Sequence, residues 1–250
     1  MSQSGPGGIH LFNDFFGIGD GVALTADTNN LGDFYGGGEG WEDADAGVAL
    51  NSSLLGGVVT LTGANTDADT SFIGTGISFD VGLMGTIVLE ARIQMPDVDT
   101  KEIFFGITSI LSIDEQLEDI VINASATAVT CVADLAGFYF SDELTASATE
   151  WHGIHAGGST ADGATAADVN LGTADDAGVT AGEWQVLRLE IDNNGTVRWT
   201  INGRLKKTVK GAVSTTTDVA VVMANAANTT ELVITEIDYI MVDANRDWTV

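Results

Sequence analysis

Positive charge is scarce in this chain. Nine Lys and Arg residues stand against 36 Asp and Glu residues, which gives a formal net charge of −27 at pH 7. A surface of that sign repels phosphate backbones and anionic lipid headgroups. The charge therefore argues against nucleic acid and membrane surfaces as partners, and it favours cations or basic partners.

Cysteine and histidine are also rare. Cys131 is the single cysteine, which excludes a disulfide within the chain, and its apolar segment AVTCVADLAG predicts a small buried side chain. Three histidines do not support a zinc site or a Ser-His-Asp triad. If the segment WHGIH is a strand, His152 and His155 face opposite sides and cannot share one site.

Long apolar runs are missing as well. None reaches the length of about 20 residues that a membrane-spanning helix requires. The first residues, MSQSGPGGIHLF, show neither the basic segment nor the apolar core of a signal peptide. We therefore expect a protein that is made without an export signal.

Glycine and β-prone segments dominate what is present. The 250 residues include 31 glycines and two prolines, and 44% of them are hydrophobic. Runs such as VVTLT (58–62) and TIVLEARIQM (86–95) recur along the chain, bounded by turn-forming residues. Because no strand–helix alternation is visible, the pattern predicts an all-β fold, an antiparallel β-sandwich of about twelve strands.

Two segments depart from the strand pattern. Residues 1–40 combine glycines with aromatic residues, and they predict an N-terminal arm that packs either on its own sheet or on a neighbour. Residues 158–182 are rich in Gly, Ala, Thr and Asp and predict a long surface loop. We therefore divide the chain into an arm or extension, 1–40, and a jelly-roll sandwich domain, 41–250.

One segment has the pattern of a helix. Residues 110–120 read ILSIDEQLEDI, and Ser112 and Glu115 have the spacing of a capping box. The sequence therefore predicts a helix here, between two strands.

The segment WQVLRLEIDNNGTVRWTINGRLKKTV (184–209) predicts three strands in succession. The turns DNNG (192–195) and NG (202–203) contain residues that tolerate a positive φ. The period-two alternation of the strands places six apolar residues on one face. We expect these six in the core: Leu187, Leu189, Ile191, Val197, Trp199 and Ile201.

This segment carries a resemblance to a known fold family. The pattern W-x-x-L-R-L-E-I-D-x-x-G-x-V-x-W-x-I-N-G, together with the late strand EIDYIMV (236–242), resembles the concanavalin A-like lectin/glucanase jelly roll. The resemblance implies two curved antiparallel sheets stacked on one another. The superfamily includes lectins, glycosidases, adhesion modules and virion proteins, so the resemblance implies a fold more than a function.

The catalytic motif of the family's glucanases is incomplete in this chain. Laminarinase-type enzymes carry E-[ILV]-D-x-x-E, in which the first Glu is the nucleophile and the last is the general acid. Glu236, Ile237 and Asp238 match its beginning, but Met241 stands where the second Glu belongs. One carboxylate cannot perform both roles, so we expect no enzyme and no catalytic residues, with Glu236 and Asp238 as solvent-facing residues of an ordinary strand.

One acidic loop is a weak candidate for a metal site. Asp97, Asp99 and Glu102 could place three carboxylates together, and Ca²⁺ prefers oxygen ligands. The loop lacks the spacing of an EF-hand, and a solvated acidic loop is the alternative. We therefore expect no cofactor, with Ca²⁺ as the one candidate ion.

The remaining features resemble those of tailed-phage structural proteins. These features are a start that reads LFNDFF, loops rich in Gly, Ala, Thr and Asp, and a jelly roll. The resemblance implies a capsid decoration (cement) protein on the virion surface, synthesised in the host cytoplasm. Its partners would be the major capsid protein and further copies of itself, in a homo-oligomer such as a trimer.

Six residues are candidates for partner binding under this hypothesis, three aromatics of the arm and three bases of a basic segment: Phe12, Phe15, Phe16, Arg204, Lys206 and Lys207. The bases could equally neutralise carboxylates of their own subunit, and this alternative stays open. A carbohydrate-binding, lectin-like module of the receptor-binding or fibre kind is the alternative function, and a glycan hydrolase of the glucanase type is the third.

Overall fold

The chain folds as a β-sandwich in this computed structural model, which describes residues 7–16, 30–43, 46–125, 127–145, 148–172 and 177–246. The strands are numbered in chain order: β1 (Gly8–Asn13), β2 (Asn30–Leu31), β3 (Phe34–Gly37), β4 (Gly47–Leu50), β5 (Val59–Gly63), β6 (Thr70–Gly74), β7 (Phe79–Asp80), β8 (Ile87–Gln94), β9 (Lys101–Thr108), β10 (Val121–Ser125), β11 (Ala128–Cys131), β12 (Leu135–Ser141), β13 (His152–Ala156), β14 (Gln185–Ile191), β15 (Val197–Ile201), β16 (Arg204–Val209), β17 (Asp218–Ala227) and β18 (Val233–Asn245).

Helical structure is short in the described residues. It comprises α1 (Ala166–Val169) and two 3-10 turns, Glu39–Glu42 and Leu117–Asp119. None of the described helices is long and apolar enough to cross a membrane.

Two antiparallel sheets form the sandwich. Sheet A has the order β16-β15-β14-β8-β18-β5-β4, and β1 pairs with the C-terminal half of β18. Sheet B has the order β13-β12-β9-β17-β6-β3-β2, and β7 pairs with the start of β17. The strands of the hairpin β10–β11 pair only with each other and with neither sheet. The antiparallel β-sandwich expected from the sequence is confirmed.

The main core lies between the two sheets and follows the period-two pattern of the strands. In β8 every second residue is buried, beginning with Ile87. The six apolar residues expected in the core from segment 184–209 are each at most 2% exposed, which confirms that prediction. Trp199 also donates its indole N–H to the Gly137 carbonyl oxygen of sheet B at 2.8 Å, so one side chain joins the two sheets.

A second core covers the outer face of sheet B. It joins side chains of the sheet, such as Phe104 and Tyr139, to residues from the 3-10 turn at 117–119, the β10–β11 hairpin, the turn after β12 and α1. The Phe104 ring lies against β12 because Gly137 has no side chain: a Cβ there would stand 2.5 Å from the ring. The outer face of sheet B is therefore packed against the chain's own residues.

The helix predicted at 110–120 is wrong. Glu115 does accept a hydrogen bond from the Ser112 N–H at 2.7 Å, as a capping box would have it. However, the backbone of this segment bonds to other elements: Gly38 N–H donates to the Ile113 carbonyl, and Leu117 N–H donates to the Thr70 hydroxyl. These tertiary bonds replace the i→i−4 bonds of a helix, and only a 3-10 turn remains.

The described parts of residues 1–40 belong to the sandwich itself. Strand β1 pairs with β18 of sheet A, and β3 pairs with β6 of sheet B. Of the two alternatives for the arm, these residues pack on the chain's own sheets. The predicted loop 158–182 also contributes to the interior, because Val169 and Leu171 are buried.

Candidate functional site

The glucanase-like motif lies on the outer face of sheet A. Ile237 points into the core, while Glu236 and Asp238 point away from it. The prediction that Glu236 faces solvent is wrong: it is 8% exposed, and its carboxylate accepts a hydrogen bond from the Asn51 amide at 2.8 Å. Burial raises the pKa of this carboxyl.

Asp238 is held by an ion pair. A bulge after Ile237 places Asp238 next to Arg92, with 2.6 Å between the guanidinium and the carboxylate. The guanidinium of Arg92 also stacks over Trp184, 4.3 Å from the ring centroid. Met241 stands opposite Glu90 on the neighbouring strand, where the glucanase motif would have its second Glu. The motif therefore presents one carboxyl bonded to an amide and one neutralised by arginine.

Further ion pairs cover the same face. Arg188 contacts both Glu90 and Glu190, at 3.0 and 2.9 Å. The Arg198 guanidinium forms a bidentate ion pair with the Asp192 carboxylate, with N···O distances of 3.0 and 2.7 Å. Arg188 and Arg198 therefore neutralise carboxylates of their own chain.

The weak metal candidates do not converge on one point. Asp97 forms an ion pair with the buried Lys101 ammonium at 2.7 Å, so a lysine already supplies the positive charge there. Glu102 is 2% exposed and accepts a hydrogen bond from the Ser141 hydroxyl on sheet B. Among the residues that the structure describes, no group of three or more His, Cys, Asp or Glu side chains is placed to hold a metal ion.

The two histidines of WHGIH lie on strand β13 and face opposite sides. The His155 ring lies tilted against the Trp199 ring on the core side, with 6.2 Å between the ring centroids. His152 is completely buried, and burial lowers its pKa to about 4. Both side chains are structural parts of the sandwich edge.

The three aromatic candidates for partner binding lie in different surroundings. Phe15 is completely buried in the main core, so its ring is not available to a partner in this structure. Phe12 is half-buried on the outer face of sheet A, and its ring centroid lies 6.0 Å from that of Tyr239. Phe16 is 69% exposed and lies beside Gly57, and the nearby chain residue Leu55 is 95% exposed. Only this last position offers apolar surface.

The three basic candidates lie on β16, the edge strand of sheet A. Lys207 donates its ammonium to the Asp168 carbonyl at 2.9 Å, which ties the edge strand to α1 across the side of the sandwich. Arg204 is exposed and Lys206 is half-buried, and Leu205 between them is 60% exposed. Of the three basic candidates, Arg204 is therefore the exposed one.

A polar pocket that the sequence did not point to lies at one end of the sandwich. Its volume is about 380 Å³. Three loops meet there: the loop after β13, the β14–β15 turn and the β16–β17 loop. Hydroxyl, amide and glycine residues and one valine line it: Gly157, Gly158, Ser159, Asn194, Gly211, Val213, Ser214, Thr215 and Thr216.

Glycines bring these loops together. A Cβ on Gly158 would stand 2.1 Å from the Gly211 carbonyl oxygen, so only glycine permits this approach. Behind the pocket wall, Asp134 accepts a hydrogen bond from the Thr217 hydroxyl at 2.8 Å, and Thr217 bonds to Ser214. The hydroxyl wall is therefore fixed by a hydrogen-bonded chain. The glycine pair at 157–158 and the run STTT (214–217) are the sequence signals that could have indicated it.

Known proteins resemble this chain in fold and not in sequence. No protein-family model matches it, and no curated protein sequence matches it. A protein of unknown function from Shewanella oneidensis MR-1 superposes with a TM-score of 0.58 at 12% identity, over 98% of this chain and 89% of that one. A carbohydrate recognition domain of Emp46p gives 0.57 at 9% identity, over 93% and 97%. A β-glucanase from Bacillus licheniformis gives 0.51 at 12% identity, over 93% and 97%.

Each of these similarities extends over nearly the whole length of both compared chains. At such identities they establish the architecture alone. The chain has the concanavalin A-like jelly-roll fold.

Proposed function

We propose that this chain is a non-enzymatic carbohydrate-binding module and that its ligand site is the polar end pocket. The pocket carries the proposal because its lining matches the chemistry of a sugar. Saccharide hydroxyls both donate and accept hydrogen bonds, as Ser, Thr and Asn side chains do. The volume of about 380 Å³ suits one or two sugar units, within the range of about 300–1,000 Å³ for small-ligand sites.

The charge of the molecule narrows the ligand class. With a net charge of −27, the surface repels sialylated, sulfated and other anionic glycans. The ligand is accordingly a neutral saccharide. The fold similarity to the Emp46p carbohydrate recognition domain supports carbohydrate as the class of ligand, and the charge argument selects neutral saccharides.

Two observations support the non-enzymatic part of the proposal. The Glu236 and Asp238 carboxyls are held by Asn51 and Arg92, with a methionine in place of the second Glu. On the other sheet, the Glu102 carboxyl is 2% exposed beneath the second core, where no substrate reaches it. Retaining glycosidases need two accessible carboxyls about 5–5.5 Å apart.

A glycan array with a paired set of variants tests the proposal. Thr216→Trp puts a large ring at the exposed rim of the pocket, while Thr229→Trp makes the same change at the opposite end of the sandwich. The wild type and Thr229→Trp should bind the same neutral saccharides, and Thr216→Trp should lose at least tenfold in affinity. Equal binding by both variants, or binding to no neutral saccharide, contradicts the proposal.

Decoration of a phage capsid is the second candidate function. The observation that favours it is the basic run Arg204-Leu205-Lys206 on the edge strand of an otherwise acidic molecule, in which Arg204 and Leu205 are exposed and Lys206 is half-buried. An edge strand with basic side chains suits an acidic partner surface, such as one on the major capsid protein or on a sister subunit. Glycan binding at the end pocket is compatible with such a location, because the two surfaces are separate.

Co-sedimentation with purified capsid shells tests this second candidate. Reversing both Arg204 and Lys206 to Glu should weaken shell binding, more so at low salt, where the charges are less screened. The exposed Lys210 beyond the strand, changed to Glu, is the control. If the double variant decorates shells as the wild type does, or if the wild type does not bind shells, the decoration hypothesis is wrong.

A further inference from the structure

Several segments of the chain lie on the outer face of sheet B, and we call them the cover; their apolar side chains and those of the sheet form the second core. The cover comprises residues 110–125, residues 127–132 and the turn at 142–145. It contributes buried apolar side chains to the second core, among them Leu117, Val121 and Leu144. If the cover lifted, the apolar outer face of sheet B would meet water.

A carboxyl group lies beneath this cover. Glu102 projects from β9 to the same face as Phe104 and is 2% exposed. Its Oε1 accepts a hydrogen bond from the Ser141 hydroxyl at 3.2 Å. Neither its Oε2 nor the buried Tyr139 hydroxyl makes a hydrogen bond to a described residue, although the Tyr139 hydroxyl lies close enough to lower the pKa of the carboxyl. A carboxylate left in this way is costly, whereas the neutral carboxyl is tolerated.

The groups around Glu102 add negative charge and no positive charge. Strand β12 contributes Tyr139 and Ser141, the 3-10 turn contributes Glu118, and the turn after β12 contributes Glu143. Strand β17 contributes only alanine, since Ala226 is the residue paired with Glu102. Burial, together with Glu118 and Glu143, raises the pKa of Glu102 to about 8, against the lowering effect of the Tyr139 and Ser141 hydroxyls.

We propose that the protonated Glu102 carboxyl is a latch that keeps the cover seated on sheet B, and that its ionisation releases the cover. The two carboxylates that raise its pKa, Glu118 and Glu143, are exposed residues of the cover itself, so ionisation of Glu102 adds repulsion between the sheet and the cover. The latch is independent of saccharide binding, because the end pocket is lined by other loops.

The direction of the pH effect follows from the two states of the cover. In the closed state Glu102 keeps its proton up to about pH 8, while in the open, hydrated state it ionises near its ordinary pKa of 4.5. Opening therefore releases a proton between these limits. The opening constant should rise by roughly tenfold per pH unit from about pH 5 to about pH 8 and level off above that.

Hydrogen exchange of the backbone amides at pH 5 to 9, corrected for the intrinsic exchange rate, tests the latch. In the wild type, peptides from the cover should lose protection by at least a hundredfold between pH 5 and pH 8, while peptides from β14 and β15 change little. In Glu102→Gln, whose amide does not ionise, protection of the cover should not depend on pH. Glu183→Gln, an exposed carboxylate elsewhere, should behave as the wild type.

A second pair of variants decides the question if Glu102→Gln does not fold. Glu118→Gln and Glu143→Gln each remove one repelling charge, so each should lower the pH at which the opening constant levels off. Proton-linked opening that persists unchanged in Glu102→Gln overturns the proposal. So does cover protection that is independent of pH in the wild type, or a levelling-off that neither Glu118→Gln nor Glu143→Gln shifts.

Discussion

At the scale of single residues, buried polar contacts between the two sheets complement the apolar core. Trp199 of sheet A reaches the Gly137 carbonyl of sheet B. Asn225 of sheet B donates its amide to the Leu61 and Val233 carbonyls of sheet A, at 3.1 and 3.0 Å. Such bonds fix the position of one sheet against the other, because a misplaced sheet would leave buried polar groups unpaired.

Truncation of Trp199 should be among the most costly single changes in the protein. The side chain is completely buried, so Trp199→Ala should lower the free energy of unfolding by about 3–5 kcal/mol. Trp199→Phe keeps most of the apolar contact and loses only the bond to Gly137, so its cost should be smaller. Urea unfolding measures both, and wild-type stability of Trp199→Ala would contradict the core assignment.

An aspartate at position 225 should be tolerated only in acid, where its carboxyl is protonated and neutral. Asn225→Asp places a buried carboxyl against two carbonyl oxygens, which accept hydrogen bonds and repel an anion. The protonated acid can still donate one bond, so the variant should lose stability as the pH rises from about 4 to 7, relative to the wild type. A constant difference in melting temperature over this pH range would contradict the geometry.

At the scale of elements, the sequence is informative where local and tertiary preferences agree. The 184–209 meander was predictable because its alternation and its turns both favour strands, and all six predicted core residues are buried. Segment 110–120 has helical spacing, yet its backbone bonds to Gly38 and Thr70 from distant parts of the chain. The end pocket was not predictable for a similar reason, since it depends on three loops that are far apart in sequence.

The close approach of these loops gives a prediction at the same scale. Gly158→Ala places a Cβ 2.1 Å from the Gly211 carbonyl oxygen. The loops must separate to accept it, so the variant should lose about 1–3 kcal/mol of stability and should bind saccharide more weakly. Gly76→Ala is the control, because its nearest contact would be 3.4 Å from a serine hydroxyl. Thermal melts that are equal for the two variants would contradict the packing of the pocket.

At the scale of the whole molecule, each of the two sheet faces is occupied by the chain itself. Ion pairs and hydrogen bonds engage the acidic residues on the outside of sheet A, and the second core covers the outside of sheet B. We therefore propose that any partner binds at the ends and edges of the sandwich, where loops present polar or basic groups. This arrangement suits a protein that acts by binding.

We expect the protein to have no glucan-hydrolysing activity. The wild type should release no reducing sugar from β-1,3/1,4-glucan, and Glu236→Gln and Asp238→Asn should therefore change no hydrolytic rate. Glucan hydrolysis by the wild type that disappears in Glu236→Gln would show that the Glu236 carboxyl, which hydrogen-bonds to Asn51, is catalytic after all.

Mapping of amide chemical shifts on addition of the best-binding neutral saccharide tests the central claim most directly. The account predicts shift changes confined to the three loops of the end pocket, at residues 157–159, 194–195 and 211–216, with the saccharide recovered intact. Shift changes centred on the outer face of either sheet, or a cleaved saccharide, would contradict it.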